Sequence, residues 1–257
     1  MFSVVIPTHN NEATLVETLA ALVPATAEGV VREVIVADAG SSDLTEEIAD
    51  AAGCRWVRET GAYGARLAAG VQAASRGEWL LFLEPDTVLD PDWFWEVSKF
   101  VERAEWLGRG DTQAACFRAA GDELGLKARL GEGMAWICAR ILGIGREQQG
   151  LLLSRRFYAK LGGHKTTSVL AHADLVRRIG RRRMTHLPVC AVRRTVPDAD
   201  GLFLASPVHG AVSPTVPRRG DRPSGRAVDA LSAIESGRKG VPPPAAANPE
   251  MIIPYRL

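Results

Sequence analysis

The sequence lacks the features that mark several specialised classes of protein. Its 31 basic and 30 acidic residues almost cancel; a dedicated nucleic-acid binder carries a clear basic excess, so we expect no nucleic-acid partner. No apolar run reaches the roughly 18 residues of a membrane-spanning helix, and the longest candidate, Met134 to Ile144, contains Arg140. The first residues have no basic segment followed by an apolar one, which predicts that there is no signal peptide.

Cysteine is scarce as well. The four cysteines are widely separated and form no C-x-x-C pair, and the five histidines have no zinc-like spacing. Neither a disulfide framework nor a structural zinc site is predicted, and reduced thiols indicate a cytoplasmic protein. With 257 residues, 46% of them hydrophobic, the chain is large enough for one α/β domain with a substantial core.

Proline is distributed unevenly, since nine of the 15 prolines follow residue 204. Residues 205–257 have little apolar periodicity and carry seven basic against four acidic residues. We predict that they form an extended tail on a body that spans residues 1–204. The apolar end of the tail, Met251 to Tyr255, predicts packing onto the body or onto a second subunit, which would give a homodimer through the tail.

Short apolar runs alternate with stretches of helical periodicity over the first half of the body. Such alternation is typical of an α/β fold with parallel strands and right-handed crossovers, an open, mostly parallel sheet flanked by helices. Strands are predicted over residues 2–6, 34–37, 54–57 and 79–83, and helices over 12–22, 44–52, 65–74 and 90–105. The last helix is expected to start at the Asp90-Pro91 pair.

Polar residues follow the predicted strands where a ligand would bind, beyond their carboxyl ends. Asp38 directly ends the second strand and could accept hydrogen bonds from a base or a ribose. Gly40 and Ser41 could offer backbone N–H groups to an anion at the start of the next helix. The alternative is that this segment only caps that helix, through Ser42 or Asp43.

Glu84 and Asp86 follow the fourth predicted strand and are two residues apart. On extended chain both carboxylates would point to the same side. Two hard oxygen ligands on one side suit Mg²⁺ or Mn²⁺ bound to a diphosphate. The alternative is a solvated acidic turn before a helix.

Taken together, these segments resemble the start of family 2 glycosyltransferases of the bacterial type. The resemblance extends over about the first 190 residues and is carried mainly by residues 4–10, 36–45, 64–70 and 77–87. It implies a GT-A fold in which residues 1–110 bind a nucleotide-diphosphate sugar and residues 111–204 bind the acceptor. It also implies a set of nucleotide-binding positions: Pro7, Thr8, Asn10, Glu12, Asp38, Gly40, Ser41, Gly64, Arg66 and Asp86.

The resemblance also implies a metal site, with Asp86 as the metal-binding aspartate of the family's D-x-D pattern. Glu84 stands where the family has its first aspartate. The expected cofactor is therefore Mg²⁺ or Mn²⁺, held by Glu84 and Asp86.

The acceptor half departs from the family pattern at the catalytic base. Inverting members have Glu-Asp there, followed by an aspartate two residues on, whereas this chain has Ala171-His172 and then Asp174. A neutral imidazole can act as a general base, so His172 or Asp174 is expected to deprotonate the acceptor hydroxyl in an inverting transfer. If neither does, the chain would be a non-catalytic GT-A-like protein that binds a nucleotide or a partner.

The acceptor itself is open: a glycan, a lipid or a small molecule. Arginines at 177–178 and 181–183, together with the stretch 134–144, could meet an anionic membrane surface. That would place the protein at the inner face of the membrane. The alternative is that residues 134–144 pack in the core, which is the more common role of apolar residues at helical spacing.

Overall fold

A single mixed sheet organises the part of the chain that the computed structural model describes, residues 1–121, 150–168 and 170–194. Its eight strands are β1 (Phe2–Thr8), β2 (Val31–Asp38), β3 (Arg55–Arg58), β4 (Trp79–Phe82), β5 (Thr87–Leu89), β6 (Ala114–Gly121), β7 (Leu151–Ser154) and β8 (Met184–Arg193). The helices are α1 (Glu12–Ala20), α2 (Val23–Ala27), α3 (Thr45–Ala51), α4 (Tyr63–Ala73), α5 (Trp93–Trp106), α6 (Arg155–Lys160) and α7 (Ala171–Ile179), with a 3₁₀ turn over Arg181–Arg183.

The strand order is β3-β2-β1-β4-β7-β6-β8-β5. Strands β3, β2, β1 and β4 run parallel, as do β6 and β8, whereas β7 and β5 are antiparallel to their neighbours. This is the predicted open, mostly parallel sheet flanked by helices, so the fold class is confirmed. The carboxyl ends of β1, β2 and β4 lie along one edge of the sheet.

Both faces of the sheet are covered, because successive strand residues point to opposite sides. Val4 and Ile6 belong to the core on the side of α1 and α5, where Trp93 is fully buried. Val5 belongs to the second core, which α4 and the later helices α6 and α7 cover with side chains such as Leu67 and Leu175. The carboxyl edge of the sheet thus lies between two packed cores.

The predicted start of the last helix is wrong. Helix α5 begins at Trp93 with Asp92 as its N-cap residue, not at the Asp90-Pro91 pair. Strand β5 occupies Thr87–Leu89 and pairs with β8, and Asp90 Oδ2 accepts a hydrogen bond of 2.8 Å from the Cys190 N–H. The sequence of three strand residues is too short to be recognised as a strand, and its pairing takes Asp90 away from the helix.

Several predictions concern residues outside the described part of the chain. These are the stretch 134–144 and the tail 205–257, with its proposed packing and subunit contact. Among the described helices none has the length and apolar character needed to cross a membrane. The division at residue 110 and the membrane contact of Arg181–Arg183 stay predictions.

Candidate functional site at the carboxyl edge of the sheet

The strand register brings the predicted nucleotide-binding residues together at one edge of the sheet. Thr8, the last residue of β1, pairs with Asp38, the last residue of β2. Pro7 precedes it inside the sheet and is buried. Next to β1, strand β4 ends at Phe82 and leads into Glu84, which is 9% exposed. Three polar strand ends therefore share one edge, as the sequence predicts.

Asp38 is 1% exposed and stabilises the turn that follows it. Its Oδ2 accepts the N–H groups of Gly40 and Ser41 at 2.6 and 2.7 Å, and its Oδ1 accepts the hydroxyls of Thr8, at 3.0 Å, and Ser41. Gly40 has φ +95°, which glycine adopts readily. The Gly40 and Ser41 N–H groups are thus already bonded, and the predicted open anion site is not formed.

The two loops at this edge are tied to each other through Asn10 and Glu12. Asn10 Oδ1 accepts the Ser42 N–H at 2.9 Å, and Glu12 Oε2 accepts the Leu44 N–H at 3.0 Å. In return, Asp43 Oδ2 accepts the Glu12 N–H at 3.1 Å. Asp43 Oδ1 also accepts the N–H of Thr45, the first residue of α3, at 3.1 Å, which agrees with the alternative that Asp43 caps the helix, although Leu44 is the N-cap residue. The side chains of Asn10 and Glu12 thus stabilise the loop that follows β2 against the loop that follows β1.

Arg66 places a buried positive charge beside these strand ends. It is 6% exposed, its Nη1 donates to the Thr8 carbonyl at 3.0 Å, and its Cζ lies 5.4 Å from the centre of the Tyr63 ring. Burial lowers its pKa, and the nearby Tyr63, Glu84 and Asp38 act in the opposite direction. Arg66 Nε is buried and has no hydrogen-bond partner among the described residues. A buried donor without a partner is costly, so this N–H is suited to donate a hydrogen bond to a ligand atom.

Tyr63 belongs to this group although the sequence analysis did not identify it. Its hydroxyl donates a short hydrogen bond to Glu84 Oε1. Tyr63 lies three residues before Arg66, so both occupy one face of α4 at its amino end. The signal that could have indicated Tyr63 as a site residue is its position three residues before an arginine that is predicted to bind phosphate.

Glu84 and Asp86 are not arranged as the sequence predicts. The chain turns between them, with the Thr87 N–H bonded to the Glu84 carbonyl at 3.2 Å, so the expected extended conformation is wrong. Asp86 is 2% exposed, and its Oδ2 accepts the Nε–H of Arg193 at 2.6 Å. Its other oxygen, Oδ1, is buried and lacks a hydrogen-bond partner in the described chain. Arg193 is not among the site residues that the sequence predicts.

The described residues contain no group of three or more His, Cys, Asp or Glu side chains that could hold a metal ion. Mg²⁺ in proteins is commonly bound through one or two carboxylates, with substrate phosphates and water supplying the other ligands. The buried Oδ1 of Asp86, which has no hydrogen-bond partner among the described residues, fits the part of such a protein ligand. The site therefore suits a metal that arrives with a diphosphate.

His172, one of the two predicted bases, lies in the first turn of α7. It is 5% exposed, its ring packs at 6.1 Å from that of Phe82, and it stacks on His164 at 5.6 Å. Its Nδ1 is buried without a hydrogen bond to any described residue. Burial lowers the pKa of His172 to about 4, and that of His164 to about 2, where the charges of His172 and Arg178 also contribute. Both imidazoles are neutral at pH 7.

Asp174, the second predicted base, lies in an ion-pair cluster. Its Oδ2 is 3.0 Å from Arg178 Nη2 and 3.4 Å from Lys165 Nζ. Arg178 also donates to the carbonyls of Leu161 and Gly163. Burial acts to raise the pKa of Asp174, but the charges of Arg178 and Lys165 outweigh it and lower the pKa. The carboxylate is ionised and connects α7 to the turn after α6.

The buried histidine pair predicts a stability that depends on pH. An unfolded His172 binds a proton near its ordinary value of 6.5, whereas the folded one does so near 4. The unfolded state thus binds more protons in this window, so the free energy of unfolding is highest above pH 6.5 and falls towards pH 4. We expect the loss from His172 to be on the order of 3 kcal/mol.

Urea denaturation between pH 4 and 7.5 measures this effect. His172→Gln should make the profile less steep, and the slope that remains comes from His164. An H172Q profile as steep as that of the unmodified chain would contradict the assignment.

Comparison with known proteins gives a family and a fold. Residues 3–167, more than half of the chain, match the family model described as glycosyl transferase family 2. A similar solved structure is glucosyl-3-phosphoglycerate synthase from Mycobacterium tuberculosis with Mn²⁺, uridine diphosphate and glucosyl-3-phosphoglycerate. The TM-score is 0.55 and the identity 22%, over 77% of this chain and 73% of that one.

Two further structures agree with this fold. The same synthase with Mn²⁺, UDP-glucose and phosphoglyceric acid gives a TM-score of 0.53 at 22% identity, over 78% of this chain and 74% of that one. A structure described only as a mycobacterial protein gives 0.54 at 22% identity, over 78% and 69%. No curated protein matches the chain by sequence.

Proposed function

The chain belongs to glycosyl transferase family 2, and from that membership we propose that it moves a sugar from a nucleoside-diphosphate donor to a hydroxyl acceptor. The observation that supports this best is the buried Arg66, whose Nε–H has no hydrogen-bond partner in the described chain, beside Thr8 and Asp38. A guanidinium recognises phosphate oxygens well. The carboxyl edge of β1, β2 and β4 is therefore our donor site.

The donor is proposed to bind with its base towards the loops after β1 and β2 and its diphosphate towards Arg66 and Asp86. The Thr8 and Ser41 hydroxyls, which now donate to Asp38 Oδ1, can rotate and leave that oxygen to accept from a base. Mg²⁺ or Mn²⁺ would be held by Asp86, with Glu84 as the second predicted ligand, and when bound it neutralises charge on the departing diphosphate. Arg66 would donate its free N–H to a phosphate oxygen.

The proposed chemistry is an inverting displacement with His172 as the base. The acceptor oxygen forms a bond to the anomeric carbon, the bond from that carbon to the diphosphate oxygen breaks, and the hydroxyl proton passes to His172 Nδ1. This nitrogen is neutral and has no competing hydrogen bond in the described residues. A bound diphosphate would raise its pKa through its negative charge. Asp174 is the alternative base.

The similar solved structures suggest which ligands to try first. Their descriptions name Mn²⁺, uridine diphosphate and UDP-glucose. Calorimetry of the full chain with uridine diphosphate should therefore show binding that strengthens when Mn²⁺ is present. To find the acceptor, a panel of UDP-sugars as donors is tested against glycans, lipids and small hydroxy acids. NMR of the product then gives its anomeric configuration.

Two variants then separate the candidate bases. His172→Gln should lower turnover by about a hundredfold or more, as expected when a general base is lost, with little change in nucleotide affinity. Asp174→Asn should act mainly on stability, because it breaks the pairs with Arg178 and Lys165. The opposite pattern would assign the base to Asp174. The proposal would be refuted if no nucleoside diphosphate bound to the chain with the help of a metal.

The burial of His172 also favours a second candidate function, a non-catalytic nucleotide-binding protein. A pKa of about 4 makes a weak base, and Asp174 is held by two cations. Tight nucleotide binding with neither transfer nor donor hydrolysis across the panel would support this alternative.

A further inference from the structure

The feature that the proposed function leaves unexplained is the ion pair between Asp86 and Arg193. Arg193 Nε lies 2.6 Å from Asp86 Oδ2, and the two side chains are 20% and 3% exposed. The pair joins residues that are 107 positions apart. In the described structure, the carboxylate assigned to the metal thus already has a protein cation on one of its oxygens.

The backbone fixes this arrangement. Strand β5 pairs antiparallel with β8, with Thr87 opposite Arg193, and the Arg194 N–H donates to the Asp86 carbonyl at 2.8 Å. The backbones of Asp86 and Arg193 therefore cannot separate without disrupting two neighbouring strands. The Arg193 side chain, which is partly exposed, can still leave Asp86 by rotating about its own bonds.

The positive charge of Arg193 disfavours the binding of a metal ion to Asp86 when no nucleotide is present. A divalent ion at Asp86 would have to lie within a few ångströms of the guanidinium, and two cations repel each other strongly at a partly buried site. A diphosphate changes this balance, because it carries negative charge to the metal and offers arginine a phosphate to bind through two N–H groups.

We propose that the Arg193 side chain stays paired with Asp86 until the donor binds, so that a divalent metal binds this carboxylate only together with a nucleoside diphosphate. The guanidinium then moves from Asp86 to a phosphate of the nucleotide. This inference rests on the proposed function for its ligand. Arg193 becomes a donor-binding residue, and the metal and the nucleotide enter as one unit. Asp86 Oδ1, which is buried and has no hydrogen bond within the described part of the chain, is the oxygen that the metal would bind first.

Manganese titrations followed by electron paramagnetic resonance, which detects free Mn²⁺, test this directly on the full chain. Without nucleotide, R193Q should bind Mn²⁺ about tenfold more tightly than the unmodified chain, because a like charge and a competitor for Asp86 are removed. With saturating Mn²⁺, R193Q should bind uridine diphosphate about tenfold more weakly, because a phosphate contact is lost. A merely structural arginine would not shift the two affinities in opposite directions.

Three further variants give the controls. R193K keeps a cation beside Asp86 and should restore weak Mn²⁺ binding, and adding D86N to R193Q should abolish the gain. R194Q removes the adjacent arginine, which pairs with Glu17 at the surface at 2.9 Å, and should behave as the unmodified chain. Mn²⁺ binding to R193Q without nucleotide that is unchanged or weaker would overturn the proposal.

The failure of the proposed function would look different. If uridine diphosphate does not bind the unmodified chain with or without Mn²⁺, the proposed donor is wrong, while the nucleotide-free Mn²⁺ titration still decides whether Arg193 blocks Asp86. A measurement on the unmodified chain needs no folded variant: Mn²⁺ affinity should rise about tenfold or more when uridine diphosphate is added. An equal affinity in both conditions would overturn the coupled entry of metal and nucleotide.

Discussion

Replacing Asp86 with asparagine should abolish the dependence of nucleotide binding on a divalent metal and reduce kcat/KM about a thousandfold or more, roughly 4 kcal/mol of transition-state stabilisation. Asparagine has nearly the same shape as aspartate but no charge. It therefore loses the metal ligand while it retains the turn between β4 and β5. The measurements are calorimetric titrations of uridine diphosphate with and without Mn²⁺, and steady-state kinetics with the donor found to be active.

The substitution also leaves Arg193 without its acidic partner, which lowers stability, but by less than the loss of a fully buried pair because the Arg193 side chain is partly exposed. Stability and function must therefore be measured separately. Asp90→Asn is the matched control, because Asp90 also joins the β5 segment to β8, through the Cys190 N–H at 2.8 Å, and lies outside the donor site. D90N should lose some stability and keep the metal dependence. If D86N retained Mn²⁺-assisted nucleotide binding, the assignment of Asp86 would be wrong.

The sequence allows the donor edge to be predicted because its signals are local. An apolar run that ends in a polar residue, as at Thr8 or Asp38, needs only a parallel sheet to become a shared edge. The same reasoning places Glu84 beside them. Once the alternation of strands and helices is recognised, these positions follow without knowledge of any side-chain contact.

The partners of these residues could not be predicted, because they depend on strand order and on rotamers. Arg193 meets Asp86 only because β8 returns between β6 and β5, and no pattern near residue 193 indicates this. Tyr63 reaches Glu84 only because α4 packs against the sheet. Asp38 has the expected position, but the turn after it bonds its carboxylate to Gly40 and Ser41. The position of each residue could thus be predicted from its neighbours in the sequence, whereas its hydrogen-bond and ion-pair partners could not.

Gly64 illustrates the same distinction and carries the second large prediction. The family resemblance assigns Gly64 to the nucleotide, whereas the structure places it against the segment that leads into α7. A Cβ atom added there would lie 2.1 Å from the Lys165 carbonyl oxygen and 2.7 Å from the Ala171 Cβ. The Gly64 N–H also lies 3.3 Å from the Ser168 carbonyl, to which it donates a hydrogen bond. Only a residue without a side chain lets α4 approach α7 this closely.

Gly64→Ala should therefore lower the free energy of unfolding by about 3 kcal/mol, at the upper end for overpacking, because the clash is with backbone that cannot rotate away. Gly61→Ala, three residues earlier, is the control: its Cβ would meet chiefly the end of the flexible Glu59 side chain. G61A should change stability by no more than about 1 kcal/mol. Urea denaturation of both variants measures the difference, and equal stabilities would contradict the close approach.

The effect of G64A on function should differ from its effect on folding. The added Cβ would push on Ala171 as well as on the Lys165 carbonyl. Because His172 follows Ala171, the clash should move the proposed base away from the acceptor while Thr8, Asp38 and Asp86 keep their places on the sheet. Turnover of folded G64A should thus fall more than its affinity for uridine diphosphate. If the affinity falls and the turnover per bound donor does not, Gly64 acts on the nucleotide directly, as the family resemblance implies, and the packing of α4 on α7 is not what positions His172.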